Sequence, residues 1–271
     1  MTGVPELVAE LGADPPGPPN RIVVSRVDST SRLARRVLTT YAADEMAPPG
    51  FLVLALEQTA GRGRQGRGWE SPRGCGVYAT RVLPLPEGAS AAEAVATLPL
   101  LAGVGLARGL ARLLDRGGSG SRAGLKWPND LLVEGRKAGG VLAESLALGS
   151  GPAVALIGFG VNLLRPREGP ELPAGSTALA DHLGRRPTLG GFARELVAGL
   201  EAELAHLGDL PYAVAAYRDL SVHRPGEALR CRIGGEVVEG TFAGIDERGR
   251  LVLGRDGEEV RVAAGEIVEE N

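Results

Sequence analysis

The stretch Gly61-Arg62-Gly63-Arg64-Gln65-Gly66-Arg67-Gly68-Trp69 constrains this chain more than any other. It follows the apolar run Phe51-Leu52-Val53-Leu54-Ala55-Leu56, which reads as a buried strand. Alternating glycine and arginine supplies free backbone N–H groups and several guanidinium forks in one place. That suits an anion approached closely and has no use in an apolar core. Gly61, Gly63 and Gly66 also spell G-x-G-x-x-G, but a dinucleotide fingerprint must open a helix, and Gly68-Trp69-Glu70-Ser71-Pro72-Arg73-Gly74 cannot start one. An arginine–glycine nucleic-acid arm would need a long basic setting, whereas this stretch is short and lies between strands. What remains is a loop that closes over an anion. Trp69 offers an apolar wall, and Gln58 offers an amide for an uncharged polar group.

The net charge of −3 makes any anion site local and argues against nucleic acid or an acidic membrane as a partner of the whole chain. The start lacks a basic segment followed by an apolar one, and the apolar tract 94–107 is short and broken by Pro99, so neither a signal peptide nor a membrane span is expected. Cys75 and Cys231 form no disulfide framework or zinc spacing, and His182, His206 and His223 are scattered. No metal site is expected from them, and a reducing cytoplasm fits. Of 30 basic residues only Lys126 and Lys137 are lysine, so a compact ammonium is kept at two positions of a chain that otherwise uses arginine.

In order, residues 1–20 read as a loose lead-in. A strand over 21–27 runs into Asp28-Ser29-Thr30-Ser31, a hydroxyl-rich helix start whose simplest role is capping. Strands follow over 51–57 and 77–83, then a buried helix over 91–114 and short strands near 124–127, 130–134, 138–144 and 153–163. Residues 165–175 read as a mobile loop. Helices are expected over 189–207 and 211–220. Past Arg224-Pro225-Gly226 the pattern changes to short strands split by turns, which suggests a small SH3-like barrel over 223–271. Lys126-Trp127-Pro128-Asn129-Asp130 places Asn129 and Asp130 in a tight turn at a strand start. Lys137-Ala138-Gly139-Gly140 and Gly158-Phe159-Gly160-Val161-Asn162 offer backbone with little side-chain bulk, fit to floor a cleft.

Five segments in this order, Asp28-Ser29-Thr30-Ser31, Glu57 through Arg67, Lys126-Trp127-Pro128-Asn129-Asp130, Lys137-Ala138-Gly139-Gly140 and Gly158-Phe159-Gly160-Val161-Asn162, resemble those of biotin protein ligases, more than those of the related lipoate ligases. The resemblance covers essentially the whole chain. It implies an α/β (α+β) catalytic domain over 21–222 with a mixed β-sheet and packed helices, then the SH3-like domain. It implies the ligase-only type, without a DNA-binding domain and without specific DNA binding.

The resemblance further implies an ATP-dependent reaction with Mg²⁺. Biotin becomes biotinyl-5′-AMP, and the biotinyl group passes to a lysine of a biotin carboxyl carrier protein domain of a carboxylase. Ser29, Thr30, Ser31 and Gln58 would hold the ureido ring, with Arg62, Gly63, Arg64, Lys137 and Gly139 completing the biotin site. Arg64, Arg67, Trp69, Lys126, Asn129, Lys137 and Asn162 would face ATP. Arg64 and Lys137, with Lys126, would bring carboxylate and α-phosphate together. Asp130 is either the base for the acceptor lysine or a brace for its turn. Two departures stand out: Ser31 occupies a position where the family usually has asparagine, and the C-terminal segment lacks an arginine, so no C-terminal contact to ATP is expected. An edge strand could pair with the carrier domain or form a homodimer.

Overall fold

The structure, a computed structural model, describes residues 3–11, 20–88, 90–148, 153–168, 171–185 and 187–268. A seven-stranded mixed sheet forms the larger unit. Its strands are β1 (Asn20–Val24), β2 (Phe51–Ala55), β5 (Gly76–Pro84), β6 (Ala123–Lys126), β7 (Asp130–Val133), β8 (Arg136–Leu146) and β9 (Val154–Asn162). Their spatial order is β1-β2-β5-β9-β8-β7-β6, with β1 and β2 parallel and every other pair antiparallel.

The lead-in is corrected in part. Residues Val4–Leu11 form helix α1, with Leu7 and Leu11 buried, because these apolar residues dock on a neighbouring helix. Residues 12–19 of that lead-in lie outside the described residues.

Helices cover both faces. Helix α2 (Thr30–Ala43) packs Ala34 and Leu38 against Phe51, Val53, Val82, Val154 and Leu156. On the other face lies α3 (Ser90–Arg116), with α4 (Leu189–Leu204) and α5 (Leu210–Leu220) packed on it. By length and composition α3 could cross a membrane, yet it is the core helix of this fold. Burial on both faces is why β2 and β9 read as nearly continuous apolar runs.

Strand β9 explains where the site lies. Ala155, Ile157, Phe159 and Val161 face the α3 core. Val154 and Leu156 face α2. Beyond the reach of α2 that same face continues as Gly158, Gly160 and Asn162, so side-chain bulk stops where helix cover stops.

The expected glycine–arginine loop is instead a short hairpin of β3 (Gln58–Arg62) and β4 (Gly68–Ser71), joined by a helical turn over Arg64–Gly66. Gln65 (φ 54°) and Gly66 (φ 75°) adopt the left-handed backbone that reverses the chain. Glycine is depleted in strands, so composition alone concealed this pairing.

A five-stranded antiparallel sheet forms the C-terminal unit: β10 (Ala228–Ile233), β11 (Glu236–Ile245), β12 (Leu251–Arg255), β13 (Glu258–Val262) and β14 (Glu266–Val268), in the order β13-β12-β11-β10-β14. Strand β14 was not expected from sequence, being three residues long.

Candidate active site

A cavity of about 830 Å³ opens on the glycine floor of β9. Its walls are the N-terminus of α2, the β3–β4 hairpin, the turn before β7, the start of β8, residues 172–176 and the C-terminal sheet. All but one of the site residues expected from sequence line it: Ser29, Thr30, Ser31, Gln58, Arg62, Gly63, Arg64, Arg67, Trp69, Lys126, Asn129, Asp130, Lys137 and Asn162.

Gly139 does not line the cavity; Gly140 does. Simple alternation would put Lys137 and Gly139 on one face. The ladder slips, however: Leu132 pairs with Lys137 and Leu131 with Gly139, leaving Ala138 bulged. A Cβ on Gly140 would lie 3.7 Å from Asp130 Oδ1 and 4.0 Å from Lys137 Cε, whereas one on Gly139 would strike the Gly160 carbonyl at 2.7 Å. The bulge thus brings Lys137 and Gly140 to one side.

One end of the cavity is polar and uncharged. Ser29 is the N-cap of α2 by backbone conformation, but its side chain makes no capping bond. The simple capping role is therefore set aside, and this nearly buried hydroxyl faces the cavity unspent. The Thr30 N–H and hydroxyl donate to Gln58 Oε1 at 2.8 and 3.2 Å, and Gln58 Nε2 donates to Ser71 Oγ at 2.9 Å. Behind them lies Thr80, which sequence reasoning missed because a threonine inside an apolar strand carries no local signal.

The other end is cationic. Lys137 Nζ sits 2.7 Å from Asp130 Oδ1 and 5.8 Å from the centre of the Trp69 ring. Asp130 is thus held in an ion pair with Lys137. Arg64 Nη1 donates to Asn129 Oδ1 at 3.3 Å and to the Gly265 carbonyl at 3.2 Å. Burial lowers the pKa of its half-buried guanidinium, with Glu266 opposing that shift. Asn129 in turn donates to the Val141 carbonyl at 2.7 Å, fixing the turn after the cis Trp127–Pro128 bond. Asn162 donates to the Thr177 carbonyl at 3.2 Å.

Trp69 lies flat on the floor. A Cβ on Gly160 would come within 2.3 Å of its Nε1, and that buried N–H has no acceptor among the described residues. Residues 172–176 reach the site because the Lys137 N–H donates to the Gly175 carbonyl at 2.9 Å. The C-terminal sheet contributes Arg230, Arg232 and Glu266, and Arg67 pairs with Glu266 at 2.6 Å. The absence of a C-terminal arginine therefore does not leave this wall uncharged. The arginines come from β10, which only the fold places here.

For a divalent metal, the cavity offers three carboxylates. Asp130 and Glu266 are ion-paired and Glu70 is exposed, and no cluster of three or more metal-ligating side chains occurs among the described residues. This fits an ion such as Mg²⁺ that arrives on nucleotide phosphates with at most one carboxylate from the protein.

Comparison with known proteins agrees with this geometry. Residues 23–162 match the Biotin/lipoate A/B protein ligase family, and residues 226–268 match the biotin protein ligase C-terminal domain. The chain is 34% identical to a biotin–[acetyl-CoA-carboxylase] ligase of Mycobacterium tuberculosis over 240 residues, covering 85% of this chain and 83% of that protein. It is also 34% identical to the enzyme of that name from Paracoccus denitrificans, over 86% of this chain and 97% of the relative. A biotin protein ligase from Aquifex aeolicus, solved with biotin and ATP, has the same fold with a TM-score of 0.70 at 23% identity, covering 92% of this chain and 98% of the other. A Leishmania major biotin protein ligase bound to biotinyl-5-AMP aligns with a TM-score of 0.58 at 25% identity, over 92% and 100% of the two chains. The chain belongs to the biotin/lipoate A/B protein ligase family and carries that family's biotin-ligase C-terminal domain.

Proposed function

We propose that this protein is an ATP-dependent biotin protein ligase that activates biotin as biotinyl-5′-AMP and transfers it to a lysine of a carboxylase's carrier domain. One observation carries the reading: a single cavity joins an uncharged hydrogen-bonding end (Ser29, Thr30, Ser31, Gln58) to a cationic end (Arg64, Lys137, Lys126). A ligand with a urea at one end and a carboxylate at the other satisfies both, and an apolar ligand satisfies neither.

In the first step a biotin carboxylate oxygen attacks the α-phosphorus of ATP, and the bond to pyrophosphate breaks. Two anions must meet, and Lys137 and Arg64 supply the charge that permits it. Lys137 is held ready by Asp130 and Arg64 by Asn129. Mg²⁺, arriving on the phosphates, would add charge there. The hairpin shields the adenylate from water. In the second step the neutral acceptor amine attacks the acyl carbon and AMP leaves. Arg67, Trp69 and Asn162 face the nucleotide in this reading, and Arg62 and Gly63 complete the biotin side.

The reading extends to a cytoplasmic setting, catalytic residues 21–222, an SH3-like module over 223–271, and no specific DNA or membrane partner, in keeping with the modest negative charge. For a carrier domain or second subunit pairing through an edge, β6 is disfavoured. Its Leu125 carbonyl already accepts the Val222 N–H at 3.0 Å.

The test is to mix the protein with biotin, ATP, Mg²⁺ and a carrier domain. A carrier mass gain of one biotinyl group is expected. Absence of both adenylate and acylated carrier would overturn the function.

A further inference from the structure

Behind the uncharged end of the cavity runs a chain of hydroxyls whose direction the distances determine. Gln58 Oε1 accepts the Thr30 backbone N–H at 2.8 Å, which identifies that atom as the amide oxygen. The Thr30 hydroxyl also points to Oε1, so its single proton is used there. Thr30 Oγ1 can then only accept from Thr80 Oγ1, 2.9 Å away. Thr80 has now spent its proton too, so the 3.0 Å contact with Ser31 Oγ requires Ser31 to be the donor. The protons all run one way, from Ser31 through Thr80 and Thr30 to Gln58.

The consequence falls on the cavity. Ser31 and Thr30 face it with lone pairs rather than protons, while the Ser29 hydroxyl, which has no partner among the described residues, and the second Gln58 amide proton remain as donors. Acceptors beside donors match a group carrying N–H bonds next to a carbonyl. Thr80 has no exposed surface and does not line the cavity, yet among the described residues it alone joins the Ser31 hydroxyl to the Thr30 hydroxyl.

We propose that Thr80 is a positioning residue that sets the proton direction of the ureido pocket, and so makes the pocket select ring N–H donors. With Ser31 in place of asparagine, the relay gives the shorter side chain an acceptor role. The proposal rests on the biotin reading above. Without Thr80 Oγ1, Ser31 loses the acceptor of its proton and is free to turn it toward a ligand N–H group, opposing it, while Thr30 keeps its bond to Gln58.

The test uses the full chain with Thr80→Val, which keeps the shape of the side chain, and Thr80→Ser, which keeps the hydroxyl. Biotin affinity is read by calorimetry, and KM for biotin and for ATP by adenylate formation. Thr80→Val is expected to weaken biotin about tenfold, the effect of one misdirected or lost hydrogen bond, with KM for ATP unchanged. Thr80→Ser should restore biotin affinity to within about twofold. Wild-type protein should prefer biotin over its ring N-methyl analogue, and Thr80→Val should narrow that preference. Equal biotin affinity in Thr80→Val and wild type overturns the relay, as does equal loss in both variants, which would show packing rather than the hydroxyl at work. If Thr80→Val does not unfold cooperatively, Ser31→Ala serves in its place, and unchanged discrimination against the N-methyl analogue then overturns the relay. Failure of the wild type to bind biotin at all would instead overturn the functional reading beneath it.

Discussion

Lys137 on β8 and Asp130 on β7 meet at 2.7 Å, because Ala138 bulges out of the ladder and turns the lysine toward the first residue of the neighbouring strand. An ammonium held beside a carboxylate and above an indole is placed before its substrate arrives.

Replacing Lys137 by alanine should therefore lower adenylate formation by on the order of 100-fold, through lost charge stabilisation. Asp130→Asn keeps the shape but releases the ammonium, and should cost about tenfold. Melting curves of both variants should stay close to wild type, since each side chain is partly exposed. Pyrophosphate release from biotin and ATP measures the effect. Normal turnover in Lys137→Ala would remove that residue from the reaction.

Gly160→Ala tests the floor. Its new methyl would meet Trp69 Nε1 at 2.3 Å and must push the indole and hairpin off β9. A cost of about 1–3 kcal/mol in stability is expected, together with a red-shifted tryptophan emission. Biotin binding should fall with it. An unshifted spectrum would show that the indole does not rest where it is placed here.

The hairpin is tethered to the C-terminal sheet by Arg64 to Gly265 and by Arg67 to Glu266. Arg67 is largely exposed, so that pair contributes about 0.5 kcal/mol, and Arg67→Ala should raise protease cleavage between Gly61 and Gly74 about twofold. Arg64 is half-buried and bonded at two points, so Arg64→Ala should raise cleavage about tenfold. Biotin with ATP should protect the wild-type hairpin. Equal cutting of free and liganded protein would exclude closure.

Asp28 precedes the Ser29–Ser31 segment and binds Arg36 through two oxygens at 2.9 and 3.0 Å. That hydrogen-bonded guanidinium lowers the carboxyl pKa from 3.8 to about 2. The ionised form is the one the fold prefers. The stabilisation is thus present in full above about pH 5 and is lost as pH falls toward 2. With about a third of the side chain exposed, solvent screening leaves about 1 kcal/mol. Asp28→Asn should lose this at neutral pH and match wild type near about pH 2, as urea titrations across pH can show.

Much of this was legible in the residue order, for identifiable reasons. Short, nearly continuous apolar runs marked β2, β5 and β9, and the hydroxyl-rich start of α2 and the two rare lysines pointed to a polar pocket. The alternation of Gly158, Gly160 and Asn162 was a local signal too, because a strand projects those positions to one face. What stayed hidden depends on distant partners. Strands β3 and β4 hold together through a pairing that their glycines do not advertise. The bulge at Ala138 reverses which glycine joins Lys137, and register is a property of two strands rather than one. Thr80 matters only because β5 passes behind α2. Arg230, Arg232 and Glu266 enter the cavity only because the C-terminal sheet folds back over the hairpin. The sequence by itself determined which chemical groups the protein carries and the period on which each strand and helix displays them. The tertiary structure alone decided which of those groups share one cavity, since contact across 50 to 200 residues is set by packing and strand register, not by spacing along the chain.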